Sequence, residues 1–273
     1  MNRLGRNQSI DRAASILRAL AGCDARGARL SDIAAAARLS RSTAHRLLTA
    51  MAQARLVEHD PETGLFHLGF DLFAFGTKAA NRFGLVEMAQ GALQRLADRT
   101  SDTVFLSLRS GTEAVCVDRR EGSFPIRTLS LSVGDRRPLG VGAGSLALLA
   151  FLPDAKIERI IAANARLLEA YVAFDPASLH ELVRLTRRQG YAFNGGRIVP
   201  GMSAVGVPIM GPNEEPAGAL SVAAIESRMQ PDRRENIAAS LWMEAKTLAG
   251  ELARMAEDLG AGSLRHLLMA PRH

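Results

Sequence analysis

The chain has 273 residues, of which 47% are hydrophobic, so it is long enough for one large domain or two smaller ones with a buried core. Its net charge of +6 suits an anionic partner, and its two cysteines, Cys23 and Cys116, are too few for a disulfide framework, which fits a reducing compartment. We see neither an apolar signal region nor an apolar run near the roughly 20 residues that span a bilayer, so we expect a cytoplasmic protein with no membrane partner.

Most of the positive charge lies in the first 60 residues. This segment has ten arginines and five acidic residues, a balance of +5 out of the total of +6. A basic surface attracts the phosphates of nucleic acids, so this distribution favours DNA as the partner.

Three helices and a hairpin are predicted in this basic segment. Apolar residues recur at helical spacing over residues 8–21. A second helix begins at Ser31, whose hydroxyl can cap it, and a third covers about residues 41–55 after a very short turn. Two alternating segments, 56–59 and 65–69, flank a Pro/Gly turn, as in a β-hairpin. This order of elements is typical of a winged helix-turn-helix, which we assign to residues 8–69.

The third predicted helix has the features of a helix that reads the major groove. Ser40 can cap it, and short polar and basic side chains occupy its first turns, where they reach base edges and phosphates. A solvated helix face would also be polar, but the turn, the short second helix and the wing favour DNA binding, with Arg46 as the best single candidate. The predicted DNA-binding residues, the last of them in the wing, are Ser40, Arg41, Ser42, Thr43, His45, Arg46, Thr49 and His67.

The rest of the chain mixes helices with strands. Residues 70–83 are predicted to form a linker helix, and residues 84–259 a second domain. Its predicted strands cover residues 103–108, 114–119, 126–133, 204–210 and 217–225, and its main predicted helices cover 85–99, 142–152, 155–163, 176–190 and 231–259. This mixture predicts an α+β fold with an antiparallel sheet flanked by helices.

Several segments resemble the IclR family of bacterial transcriptional regulators, and the resemblance covers residues 8–258. It rests on the first helix, the recognition helix, the wing ending, the effector-domain signature and two late strands, at residues 8–13, 39–48, 64–69, 133–139, 205–209 and 218–222. The resemblance implies that residues 84–259 form a GAF-like effector-binding and oligomerisation domain. It also implies a homodimer or tetramer that binds double-stranded DNA at a palindromic operator.

The sequence departs from the family pattern around the expected effector pocket. After Pro138-Leu139 the family usually has histidine, where this chain has Gly140, and the usual Gly-Lys is Ser145-Leu146. The usual acidic stretch reads Asn194-Gly195-Gly196-Arg197, and the usual cysteine is Ala204. In members that bind small oxo acids, the aspartate and cysteine positions line the pocket, so we expect a different effector here.

Small residues at the start of a helix let a ligand approach peptide N–H groups, and an arginine can hold a carboxylate through two hydrogen bonds. A plain loop-to-helix junction would also be rich in small residues. We predict an organic acid with an apolar or aromatic body as the effector. The predicted effector-binding residues are Phe105, Gly142, Ala143, Gly144, Asn194, Arg197, Ala204 and Ser221.

Two other functions stay open at this point. The first is a hydrolase-like enzyme with Ser145 or Ser203 as nucleophile, although the histidines are scattered and no Gly-x-Ser-x-Gly or phosphate-binding motif is present. The second is an effector-independent DNA-binding protein, against which an enclosed pocket near Asn194, Ala204 and Ser221 would argue. We predict no enzyme activity, no catalytic residue, no cofactor and no metal site.

Overall fold

The computed structural model describes residues 7–23, 26–82, 84–126 and 131–258, without the side chains of residues 77–82, 256 and 258. The chain forms two compact units, Met1–Arg82 and Phe83–His273. The first unit contains the segment predicted to be the winged helix-turn-helix and most of the predicted linker helix. The predicted ends of the linker helix at residue 83 and of the second domain at residue 259 lie outside the described residues.

The first unit consists of helices packed against a two-stranded sheet. Its elements are α1 (Gln8–Ala21), α2 (Leu30–Ala36), α3 (Arg41–Gln53), β1 (Val57–His59), β2 (Phe66–Leu68) and α4 (Phe70–Arg82). The two strands are antiparallel, with Glu58 opposite His67. Apolar side chains from all three leading helices and both strands form one core, which includes Ile16, Ile33, Leu48, Val57 and Phe66.

Helix α2 begins one residue earlier than predicted. Arg29 precedes it without a side-chain cap, and Ser31 lies inside the helix, where its hydroxyl donates to Asp32 Oδ1 at 3.2 Å. Leu30 packs against the core, and this tertiary contact sets the start of the helix in place of a hydroxyl cap. The prediction of Ser31 as N-cap was therefore wrong.

The second unit is built on a six-stranded sheet with helices on both faces. Its strands are β3 (Thr103–Ser110), β4 (Glu113–Arg120), β5 (Arg136–Pro138), β6 (Ala192–Gly195), β7 (Met202–Met210) and β8 (Pro216–Ile225). Its α-helices are α5 (Leu85–Thr100), α6 (Ala143–Ala150), α7 (Asp154–Leu168), α8 (Pro176–Gln189) and α9 (Pro231–Asp258). Adjacent strands are all antiparallel, in the order β5-β4-β3-β8-β7-β6, which confirms the predicted α+β class.

Alternation along the strands divides the apolar residues between two cores. Leu220 and Val222 of β8 pack with residues of α5 and α9, whereas Ala219 packs with residues of α6, α7 and α8. Successive side chains of a strand point to opposite faces of a sheet, so α5 and α9 cover one face and α6 to α8 cover the other. No helix within the described ranges is both long and apolar enough to cross a membrane.

The described residues of the predicted strand over 126–133 do not form a strand. Residues 127–130 lie outside the described part of the chain, and the residues that follow make a turn in which Ser132 N donates to Asp135 Oδ2 at 2.7 Å. Gly134 has a φ of 93° in this turn, and the strand, β5, starts only at Arg136. The Asp/Gly turn interrupts the alternating pattern on which the prediction relied.

Candidate DNA-binding surface and effector cavity

The start of helix α3 is fixed by its own hydroxyl groups. Ser40 is the N-cap, and its Oγ accepts a hydrogen bond from Thr43 N at 3.2 Å and donates to Thr43 Oγ1 at 2.8 Å. Further along, Thr49 Oγ1 donates to His45 O at 3.0 Å. These hydrogen bonds give Ser40, Thr43 and Thr49 a role within the helix.

Helix α3 separates a buried face from a polar one. Ala44, Leu48 and Met51 are buried, while the side chains that remain exposed include Arg41, Ser42, His45 and Arg46. Within the described residues, the structure shows no salt bridge to Arg41 or Arg46. This face therefore presents positive charge and hydrogen-bond donors, which is the chemistry that reads base edges and phosphates in a major groove.

The wing contributes less positive charge than the helix. Asp60 accepts hydrogen bonds from Thr63 Oγ1 at 2.6 Å and Glu62 N at 2.9 Å, and the Thr63 hydrogen bond lowers the pKa of the Asp60 carboxyl. The imidazole of His67 lies against Gly27, where an added Cβ would be 2.5 Å from His67 Cε1. His67 thus packs against a neighbouring loop, and the hairpin turn itself carries acidic side chains.

A cavity lies in the second unit, between the α6 face of the sheet and the loop that joins β6 to β7. It holds about 640 Å³ of empty space, counting the part that is open to solvent. Its lining is mainly small and apolar, with contributions from all six strands of the sheet, the start of α6 and the β6–β7 loop. Seven of the eight predicted effector-binding residues lie around it: Phe105, Gly142, Ala143, Gly144, Asn194, Ala204 and Ser221.

Arg137, not Arg197, brings positive charge to this cavity. Arg197 is exposed, lines a separate groove beside α8, and donates from Nη1 to Ala173 O at 3.4 Å. Arg137 is the one charged side chain among the described residues of the cavity lining. Burial lowers the pKa of its guanidinium, and Tyr171 partly offsets this by raising it.

The guanidinium of Arg137 lies close to the first turn of α6. A Cβ built on Gly142 would be 3.3 Å from Arg137 Nη1, so glycine at this position, with a φ of 92°, leaves room for the arginine. Gly142 is also the N-cap of α6 and supplies no side-chain cap. A cation beside an uncapped helix N-terminus forms an environment that favours an anion.

Hydroxyl groups face the same turn of α6. A Cβ on Gly144 would lie 3.1 Å from Ser221 Oγ and 3.4 Å from Ser107 Oγ. The helix packs directly on β7 at Gly206, where an added Cβ would lie only 2.7 Å from Ala143 O. Small residues therefore bring the start of α6 down to the sheet at one end of the cavity.

Two buried side chains complete the polar part of the lining. Asn194 on β6 is 7% exposed, and among the described residues its Oδ1 has no hydrogen-bond partner. Cys116 on β4 is 2% exposed, and burial raises the pKa of its thiol to about 12, with Asp135 adding to the effect. The thiol is therefore neutral at physiological pH.

The serines considered as nucleophiles have no catalytic surroundings. Ser145 Oγ donates to Pro138 O at 2.9 Å and accepts from Gly140 N at 3.1 Å, so it ties the loop before α6 to the helix. Ser203 also lines the cavity, and among the described residues its buried Oγ has no hydrogen-bond partner and so no general base. No histidine is among the described lining residues, and that part of the chain holds no cluster of three metal-binding side chains.

The sequence contains a signal for Arg137 that the prediction did not use. Arg136 and Arg137 are neighbours on β5, and alternation sends only one of them to each side. Arg136 pairs with Glu113 at 2.9 Å on the exposed side, which leaves Arg137 to the cavity. The prediction put the strand at 126–133, so this choice between the two arginines was never made.

Comparisons with known proteins agree over most of the chain. The sequence model described as "Bacterial transcriptional regulator IclR C-terminal" matches residues 77–249, and the "IclR helix-turn-helix domain" matches residues 9–61. The HTH-type transcriptional regulator XynR of Escherichia coli is 28% identical over 251 residues, which cover 90% of this chain and 97% of XynR.

Solved structures have the same fold. An IclR-type transcriptional regulator from Alicyclobacillus acidocaldarius superposes with a TM-score of 0.76 at 24% identity, covering 91% of this chain and 100% of that one. An IclR homologue from Microbacterium hydrocarbonoxydans, solved in complex with 4-hydroxybenzoate, has a TM-score of 0.71 at 23% identity and covers 90% of this chain and 99% of its own.

The matched models and relatives are transcriptional regulators, which are not enzymes, so the prediction that this chain is not an enzyme is confirmed. The chain belongs to the IclR family of bacterial transcriptional regulators, with an N-terminal DNA-binding helix-turn-helix and a C-terminal effector domain.

Proposed function

We propose that the chain regulates transcription by binding an operator through α3, with an affinity that is set by an organic acid in the cavity of the second unit. The observation that carries the proposal is Arg137, a guanidinium at the uncapped start of α6 in a mainly apolar cavity. A carboxylate is a ligand that an arginine and helix N–H groups bind well.

The body of the acid is apolar or aromatic. Phe105, Val141 and Ile198 line the cavity, and these side chains gain from contact with a ring or a hydrocarbon chain. The 4-hydroxybenzoate held by the Microbacterium hydrocarbonoxydans homologue is an acid of this kind, and it supports the same class of ligand here.

The operator would be double-stranded DNA with palindromic half-sites, bound in the cytoplasm by a homodimer or tetramer whose effector domains are GAF-like. The DNA contacts fall to Arg41, Ser42, His45 and Arg46 on the exposed face of α3. If the acid binds one arrangement of the assembly better than another, it shifts the population towards that arrangement and so changes operator affinity. The cavity also speaks against an effector-independent protein, because such a protein needs no cavity lined by an arginine and the start of a helix.

The test is acid binding to the wild type and to two arginine variants. Benzoate, phenylacetate and 4-hydroxybenzoate are compared with the neutral benzamide by thermal shift and calorimetry. We expect at least one acid to stabilise the wild type and Arg136→Met but not Arg137→Met, because only Arg137 reaches the cavity. Stabilisation by benzamide as large as by the acids, or no stabilisation by any acid, would contradict the proposal.

A further inference from the structure

The side chains deep in the cavity are shielded from solvent. Phe105, Cys116 and Ser221 line it and are only 3%, 2% and 6% exposed. A ligand of the size of benzoate therefore reaches them only if part of the wall moves. Much of the wall consists of paired strands and the start of α6, which hydrogen bonds and close packing hold in place. The β6–β7 loop, residues 196–201, lies outside these elements.

This loop has a fixed neck between two glycines. Gly196 N donates to Met202 O at 2.9 Å, and Gly201 O accepts from Glu226 N at 2.8 Å. Gly196 and Gly201 have φ values of 69° and 81°, which glycine adopts without steric cost. A hinge is a short stretch at the end of a loop that absorbs changes in φ and ψ. The two glycines are therefore suited to act as hinges for the tip of the loop, residues 197–200.

The tip of the loop faces the cavity with one side and solvent with the other. Ile198 lines the cavity, and a Cβ built on Gly142 would be 3.2 Å from Ile198 Cδ1, so this side chain covers the start of α6. Arg197 is exposed, and its Nη1 donates to Ala173 O, in the turn before α8, at 3.4 Å. Among the described residues, this is the one side-chain hydrogen bond from the tip to a neighbouring element. It is longer than most N–H···O hydrogen bonds, so breaking it costs little.

We propose that residues 197–200 form a lid over the cavity, and that Arg197 is the latch that holds the lid closed. The inference deepens the proposed function, because the lid controls the entry and release of the acid. Arg197, which the sequence predicted to bind the effector, acts from outside the cavity. Loss of its hydrogen bond shifts the population towards the open lid, which exposes the cavity more often.

Cys116 reports the opening of the lid without any acid, because it lines the cavity. Cys23→Ser leaves it as the one cysteine of the chain, and its labelling by N-ethylmaleimide at pH 8 is followed by intact mass. In this background we expect Arg197→Met to raise the labelling rate by about threefold or more, the effect of losing one hydrogen bond. The matched control is Arg184→Met, since Arg184 is an exposed arginine of α8 whose hydrogen bonds go to the same helix. No rise with Arg197→Met, or an equal rise with the control, would overturn the inference.

Hydrogen exchange distinguishes opening of the lid from unfolding of the whole unit. Arg197→Met should speed the exchange of backbone amides in residues 196–202 and leave the exchange of β4 unchanged, because only the loop moves. Mass spectrometry of peptides from the two segments measures both rates. Faster exchange in β4 to the same extent would show a general loss of stability and would overturn the inference.

The outcomes separate this inference from the proposed function. An acid that binds should slow the labelling of Cys116, because it occupies the cavity that the thiol lines. If Arg197→Met speeds labelling but no acid binds, the proposed function fails and the lid stands. If acids bind but Arg197→Met changes neither labelling nor exchange, only the lid fails.

Discussion

At the scale of single residues, the two cysteines differ in reactivity because they differ in burial. Cys23 is exposed, whereas Cys116 lines the cavity and its pKa is raised from its ordinary 9.0 to about 12. The thiolate is the reactive form, so we expect one thiol per native chain to react with a thiol reagent at pH 8 and two in denaturant. Cys116→Ala should leave the native count at one, and rapid reaction of both thiols in the native protein would contradict the prediction.

The raised pKa of the Cys116 thiol makes the free energy of unfolding depend on pH. The unfolded chain loses the Cys116 proton near the ordinary pKa of 9.0, and the folded chain keeps it until about 12. The unfolded state then binds fewer protons, so the free energy of unfolding falls as pH rises between these values. Denaturant titrations across that range should show a steeper fall in the wild type than in Cys116→Ala.

Arg46 is the residue on which we test DNA contact. Arg46→Ala should weaken operator binding and, for a phosphate contact, reduce the steepness of the salt dependence by about one. Arg254→Ala removes the same charge from an exposed site in the second unit and is the matched control. Anisotropy titrations with labelled duplex over a salt series measure both, and an equal effect of the two substitutions would argue against a role for the exposed face of α3.

The sequence predicts which residues form the polar face of α3, but it does not predict which arginine points into the cavity. The polar face of α3 follows from helical periodicity, which the sequence displays directly. Whether Arg137 or Arg197 enters the cavity depends on the side of a short edge strand or loop to which each side chain points. A shift of one residue in register moves a side chain to the opposite side. Ile198 faces the cavity while Arg197 beside it is exposed, which composition alone does not reveal.

At the scale of elements, helix α6 depends on a glycine in the strand beneath it. A Cβ at Gly206 would lie 2.7 Å from Ala143 O and 3.0 Å from Gly144 N, and both of these are backbone atoms. We expect Gly206→Ala to push α6 away from β7, to lower the stability of the second unit by about 1–3 kcal/mol and to weaken acid binding.

The matched control is Gly250→Ala on α9. Among the described residues, nothing beyond the adjoining helix backbone lies within 4 Å of a Cβ at Gly250. Alanine favours a helix over glycine by about 1 kcal/mol, so this variant should be as stable as the wild type or more stable. Thermal unfolding of both variants measures the difference. A Gly206→Ala protein with unchanged stability and acid affinity would show that the close contact of α6 with β7 is not needed.

Most elements were predictable because their signals are local. The helices of the first unit and the hairpin follow from apolar spacing and from a Pro/Gly turn. The last residues of the strand predicted at 126–133 instead lead into an Asp/Gly turn, and the strand β5 that follows has only three residues. Such a short edge strand is held by pairing with β4, a long-range contact that a local pattern does not contain.

At the scale of the whole molecule, the chain contains a DNA-binding unit and a unit with a cavity. The family resemblance implied this pairing, and the matches to both family models establish it. The proposed class of ligand rests on features of this chain, namely Arg137 and the uncapped start of α6 in a mainly apolar cavity. Coupling requires that the ligand bind two states with different affinity, and DNA must then change ligand affinity by the same factor.

The most direct measurement is operator affinity with and without the tightest-binding acid, for the wild type and Arg137→Met. The operator is first selected from a randomised duplex pool with wild-type protein, and affinities are measured by anisotropy at one fixed salt concentration. We predict that the acid changes the affinity of the wild type by about fivefold or more. Arg137→Met should bind the operator as the wild type does without acid and show no change with it. An acid effect that is absent in the wild type, or equally large in Arg137→Met, would contradict the account.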